Sequence, residues 1–155
     1  MDLQRTGIAA RHFATDGEGA SDLALPACRR ALEAARLAPE DVDYILFNTM
    51  TPDYLLPGSG TLLGAKLGIP GVPALDLRQQ CAAVPFSLQI AEGLFRTGVA
   101  RTILLVGADV HSGFMPWKDW NALAGSGAPD PEERPARASR IMVVEGQHVR
   151  LPRPA

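Results

Sequence analysis

The chain is short of the residues that mark specialised classes of protein. It has two cysteines and three histidines in 155 residues, and aromatic side chains make up only 6%. Cys28 and Cys81 lie too far apart for a zinc knuckle, and neither has a partner at metal-ligand spacing, so a metal site is not expected. In a reducing compartment the two read as free thiols rather than a disulfide. No apolar run approaches the roughly 18 residues needed to span a bilayer. The start, Met1 to Thr6, has no apolar core of a secretory signal, which makes the cytoplasm the expected location. The net charge of −2 and pI near 5.9 provide no cationic field to attract nucleic acid or an anionic membrane surface. Internal repeats are absent, and the prolines and glycines punctuate apolar segments instead of forming a low-complexity tract.

What is present is ordinary globular material, 46% hydrophobic and 21% charged, of a length suited to one core. Ser21 and Asp22 read as an N-cap and first-turn acid. They precede a helical stripe of Leu23, Leu25, Cys28, Ala31, Leu32 and Ala35, with Pro26 just inside it removing a donor. Pro39-Glu40-Asp41 turns the chain into Tyr44 to Thr49, an apolar run suited to a strand covered on both faces. Thr61 to Leu67 can form a short helix, and Val72 to Leu77 a second strand despite Pro73. Cys81 to Thr97 is apolar at Val84, Leu88, Ala91, Leu94 and Phe95 and stops at Gly98, predicting a buried central helix. Thr102 to Ala108 carries the strongest strand pattern. Helix and strand therefore alternate, as in an α/β fold with a mainly parallel sheet.

The pattern weakens from about Trp120. Gly125 to Arg137 is rich in glycine, proline and charge, which separates residues 1–120, the domain, from residues 121–155, a linker and tail. Ile141 to Val144 and His148 to Leu151 can pair as a hairpin across Glu145-Gly146-Gln147.

Of the two thiols, Cys81 falls where a strand gives way to a helix. Unpaired N–H groups and the helix dipole there favour a thiolate. Cys28 sits on the apolar stripe of a helix and reads as a small buried hydrophobe, the common fate of a free cysteine. His111, after the last strong strand, reads as structural, and His12 and His148 have no identifiable partners.

Read together, the motifs are more specific than any one of them. Arg5-Thr6-Gly7-Ile8, Ser21-Asp22-Leu23-Ala24, Thr51-Pro52-Asp53-Tyr54 with Pro57, Asp76-Leu77 followed by Cys81, and Val106-Gly107-Ala108-Asp109 occur in an order that resembles β-ketoacyl-acyl-carrier-protein synthase III. The resemblance runs from about Gln4 to about Ser112, roughly two-thirds of the chain. It implies a thiolase-like half-fold, a mixed and mainly parallel sheet covered by helices. It also implies that Cys81 takes an acyl group from acyl-CoA as a thioester, then yields it to a carbanion made by decarboxylating a malonyl-thioester, in fatty-acid or polyketide synthesis. On the same basis Arg5 contacts the phosphates of CoA. Gln80, Phe86 and Phe114 are further candidates for contact with substrate. Acyl-CoA enters as substrate and no cofactor is required. The implied partners are acyl-carrier protein and a second copy of the chain, or a chain carrying the complementary half.

The chain departs from the family at several points. Met1 stands where the family often has a tryptophan to stack on adenine, which weakens the expected hold on CoA. Gln79 and Gln80 replace small residues before the cysteine, and Ala82-Ala83-Val84 replaces Ser-Gly-Phe after it. These glutamines either line a specialised substrate site or satisfy backbone groups. Phe114 to Trp117 and Trp120 help shape an acyl tunnel or a dimer contact, or simply pack. The family's catalytic His and Asn belong to its second half, so the chain by itself is expected to be catalytically incomplete.

Two other readings compete. Gly58-Ser59-Gly60 with Gly64 resembles a dinucleotide-binding fingerprint, but its last glycine is one position late and a long proline-containing loop separates it from the preceding strand. A non-catalytic thiolase-fold fragment, serving for dimerisation or partner binding, is the second.

Overall fold

The computed structural model describes residues 14–111 in full and the backbone of residues 141–149. The chain divides into two compact units, residues 18–109 with 143–155 and residues 1–17 with 110–142. Most described residues belong to the first. Arg5 and its motif, Phe114 to Trp117, Trp120 and the Gly125 to Arg137 linker lie outside the described residues.

Helix α1 spans Ala20–Ala35 and buries Ala20, Ala24, Cys28 and Leu32, a four-residue spacing that aligns them on one face. Its N-cap is Gly19, where the sequence suggested Ser21. Ser21 is instead drawn inside the helix by a distant partner: its N–H and hydroxyl donate to the Asp53 carboxylate at 3.1 and 2.8 Å. Asp22 keeps its first-turn role, accepting from the Gly19 N–H at 3.1 Å. The helix continues through Pro26, which forgoes the hydrogen bond back to the Asp22 carbonyl and crowds that carbonyl with its ring.

A 3-10 turn over Pro39–Asp41 leads to strand β1, Tyr44–Asn48, of which Ile45, Leu46, Phe47 and Asn48 are buried. Then come helix α2 (Ser59–Leu67), strand β2 (Ala74–Leu77), helix α3 (Ala83–Arg96), strand β3 (Ile103–Val110) and strand β4 (Ile141–Val149). They form one sheet in the order β2-β1-β3-β4, with β1 parallel to both β2 and β3. In place of the expected hairpin, residues 141–149 run as a single strand. The edge of β3 supplies the inter-strand bonds that a local hairpin would have had to make for itself.

Because β2 and β3 flank β1 on opposite sides, right-handed crossovers place α2 and α3 on opposite faces of the sheet. The core divides accordingly. One cluster joins the α1 stripe to Ile45, Phe47, Leu63, Leu67, Leu104 and Val106; the other joins Leu46 and Ile103 to Ala91, with Ile90, Leu94 and Phe95 packed against them. Each fully buried large apolar side chain contributes roughly 1.5–3 kcal/mol.

The expectation that α3 is buried is corrected. Only Ala83, Ser87 and Ala91 of α3 are buried, while Phe86 and Leu88 are 46% and 39% exposed. Small residues at a spacing of four let the helix lie close to the sheet, but no described element covers its outer face.

Candidate active site

The connections leaving β1 and β2 pass to opposite faces, so a crevice opens at the carboxyl ends of these two adjacent strands, the place where parallel α/β sheets bind ligands. Asn48 closes β1 and Leu77 closes β2, and the two are paired in register. Cys81 lies four residues beyond, in a 3-10 turn over Gln80–Ala82 that feeds directly into α3.

Two features of this turn bear on chemistry. Gln80 has φ +44°, in the left-handed region that costs an L-residue about 1–2 kcal/mol and is often occupied at functional sites. The chain must reverse sharply there to present Cys81 ahead of the helix. Furthermore, α3 starts with no side-chain cap among the described residues, and Pro85 in its first turn brings no N–H of its own. The N–H groups of Ala82 and Ala83 are already given to the Gln79 and Gln80 carbonyls, so the turn itself holds the thiol at the helix start, where the helix dipole favours negative charge.

The two cysteines have opposite surroundings. Cys81 is exposed, whereas Cys28 is sealed between α1 and the sheet, where burial pushes its thiol up to about 12. Cys28 therefore stays protonated and unreactive at neutral pH.

Polar groups buried around the crevice hold it together. Asn48 Nδ2 donates to the Val106 carbonyl at 2.8 Å, and Ser87 Oγ donates to Asn48 Oδ1 at 2.6 Å, tying α3 to β1 and β1 to β3. Beside them Asp109 accepts from the Met50 N–H at 2.6 Å and from the Thr49 hydroxyl at 3.1 Å, fixing the chain as it leaves β1. Asp76 turns the other way. Its two oxygens accept from the N–H groups of Ser59 and Gly60, at 2.6 and 2.8 Å, capping α2.

That cap explains the glycine pattern. A Cβ on Gly58 or Gly60 would come within 2.9 or 2.8 Å of the Asp76 carboxylate, so the glycines make room for an internal carboxylate. A pyrophosphate would need the N–H groups that Asp76 already occupies, which removes the dinucleotide reading.

Next to the thiol turn, an open hollow of about 390 Å³ is lined by Leu77, Arg78, Gln79, Phe86 and Ile90. Apolar surface dominates it, with one guanidinium and one amide at its rim. No group of three or more His, Cys, Asp or Glu side chains is placed to hold a metal among the described residues. Nor is any described helix long and apolar enough to cross a membrane.

Residues 75–129, which carry all but the first residue of β2 together with Cys81, α3 and β3, match the family described as 3-oxoacyl-[acyl-carrier-protein (ACP)] synthase III. A β-ketoacyl-[acyl-carrier-protein] synthase III of Thiobacillus denitrificans is 37% identical over 156 residues, covering 96% of this chain and 49% of that protein. One from Rhodospirillum centenum is 42% identical over 128 residues, covering 81% of this chain and 40% of its own. The chain is a relative of the synthase III enzymes. The crystal structure of the synthase III of Aquifex aeolicus superposes with a TM-score of 0.65 at 34% identity, covering 70% of this chain and 35% of that one. The fold is accordingly a thiolase-like α/β arrangement, and the chain spans about half the length of the synthase III relatives it matches.

Of the residues singled out from the sequence, the structure brings Gln80, Cys81 and Phe86 to one end of the sheet. Phe86 lines the hollow, and Gln80 and Cys81 lie in the turn beside it, outside the lining. Arg5 and Phe114 lie outside the described residues. Sequence reasoning missed Asn48, Ser87 and the cap made by Asp76. The available signals were an asparagine closing an otherwise apolar strand and a serine on the Ala83, Ser87, Ala91 stripe.

Proposed function

We propose that this chain is the nucleophile-bearing half of a condensing acyltransferase of the synthase III kind. The observation that carries the reading is the exposed Cys81, held at the strand crevice directly ahead of a helix start with no side-chain cap. The Cys81 thiolate attacks the carbonyl carbon of an acyl-CoA, the carbon–sulfur bond to CoA breaks, and CoA leaves as a thiolate that takes up a proton. Backbone N–H groups, that of Cys81 among them, stabilise the oxyanion formed on the way. Decarboxylation of a malonyl-thioester, delivered on CoA or acyl-carrier protein, then releases carbon dioxide and a carbanion. The carbanion attacks the Cys81 thioester and expels the thiolate. Arg5 binds the CoA phosphates, and Gln80, Phe86 and Phe114 contact the substrate. No cofactor is needed, and the setting is the cytoplasm, in fatty-acid or polyketide synthesis.

The residues at hand serve the loading step. Condensation draws on a His and an Asn that the resemblance assigns to the other half of the fold. Exposed Phe86 and Leu88 on α3, with Leu75 on β2, favour a covering partner, either a second copy or a chain bearing that other half. A purely non-catalytic, partner-binding role rests on the same exposed face.

Incubation with an acyl-CoA followed by intact-mass and peptide analysis tests the proposal. One acyl adduct on Cys81, lost in Cys81→Ala, is the expected result. Absence of any adduct, or an adduct that survives in Cys81→Ala, overturns it.

A further inference from the structure

We infer that Asn48 and Ser87 form a positioning pair that sets where Cys81 stands, an inference that rests on the acyl-transfer reading above. The two halves of α3 are held by different means. Toward its C-terminal end, Ile90, Ala91, Leu94 and Phe95 pack against Leu46 and Ile103. Toward the thiol, Phe86 and Leu88 point outward, Ala83 offers one methyl, and the directional link to the sheet is the Ser87 hydroxyl. Ser87 is 0% exposed and Asn48 5%, so neither can turn to water for a substitute partner.

The pair has one consistent arrangement. The Val106 carbonyl can only accept, so it fixes the Asn48 amide with Nδ2 toward β3 and Oδ1 toward α3. Oδ1 can only accept in turn, so Ser87 must donate. This chain of bonds sets the depth and rotation of the first turns of α3 at the crevice. With Cys81 and Ser87 joined by a short length of 3-10 turn and helix, the same bonds set the approach of the thiol to a thioester carbonyl. Asn48 and Ser87 touch no reacting atom; they act through the placement of α3.

Three variants test this: Ser87→Ala, Ser87→Thr and the double variant Asn48→Val with Ser87→Ala. Acylation of Cys81 by acyl-CoA is timed well below the unfolding temperature, alongside alkylation by iodoacetamide, thermal melting and amide hydrogen exchange. Ser87→Ala is expected to slow acylation about tenfold, and to speed exchange in Ala83 to Ser87 while Leu94 to Arg96 stay protected. Ser87→Thr, which keeps the hydroxyl, recovers most of the rate. The double variant removes both side chains of the pair and leaves only the Val106 carbonyl without its donor, so it melts no lower than Ser87→Ala yet remains slow. A double variant that acylates at the parent rate, or a rate loss that merely follows melting temperature across the series, overturns the inference. If the parent chain is not acylated at all, the acyl-transfer reading fails; the pair is then judged by the alkylation rate, expected to fall about threefold in Ser87→Ala and unchanged if the inference is wrong.

Discussion

Helices α2 and α3 are both crossovers beside β1, yet they are built to different ends. The start of α2 is closed by the Asp76 carboxylate, and its Leu63 and Leu67 are sunk into the larger core. The start of α3 has no side-chain cap among the described residues, its stripe is Ala83, Ser87 and Ala91, and Phe86 and Leu88 face outward. One face of the sheet puts its polar groups to use in holding the fold together. The other leaves apolar surface uncovered beside an exposed thiol.

The largest effect that can break this contrast lies between the thiols. At pH 8 only about one Cys28 in ten thousand is ionised, given a thiol pushed up to about 12 by burial. Native protein treated with iodoacetamide should therefore carry one label, on Cys81, and gain the second only in urea, as read by peptide mass. Equal labelling of both in the native state would mean that the two faces do not differ in access. Core truncation comes next. Phe47→Ala is expected to lose about 3–5 kcal/mol in urea unfolding, whereas Phe86→Ala on the open face stays within about 1 kcal/mol. A smaller loss, about 1–2 kcal/mol, is expected of Asp76→Ala, which uncaps α2; Cys81 labelling should be unaffected, since that carboxylate serves the opposite face.

The smallest effect concerns pH. The Lys66 ammonium, 2.5 Å from Asp22, and the Gly19 N–H hold the Asp22 carboxyl below its usual value. A carboxyl lowered on folding stabilises the native state above its unfolded value and loses that contribution as pH falls through the folded one. The urea midpoint of the parent chain should therefore fall in acid by slightly more than that of Asp22→Asn. Both partners are partly exposed, so the difference is small.

Local pattern made much of this fold legible. Tyr44 to Asn48 and Ile103 to Ala108 read as buried strands because both faces of a covered parallel strand demand apolar side chains. The Gly98 stop after α3 follows from the left-handed conformation there, φ +72°. Helical spacing placed α1, but of its expected stripe only Cys28 and Leu32 are buried; the small residues Ala20, Ala24 and Ala27 complete the buried face, while Leu23, Leu25, Ala31 and Ala35 are partly exposed. What stayed hidden depends on partners far away in the chain. Ser21 looks like a cap until Asp53, 32 residues on, claims both its donors. Asn48 and Ser87 meet only once β2 and α3 have been wound around β1. The exposure of α3 was hidden as well, since apolar spacing reports a face that wants covering and not whether anything in the chain covers it.

The two-residue pleat of β2 has a consequence for the thiol's electrostatics. Ala74 and Asp76 belong to the α2 side, while Leu77 joins the α3 side. The strand works as a partition, keeping the Asp76 carboxyl group, five positions before Cys81, on the far side of a hydrocarbon wall. A slip of a single residue in register would swing that acidic group into the compartment of Cys81, where it would oppose the thiolate that the proposed acyl transfer calls for.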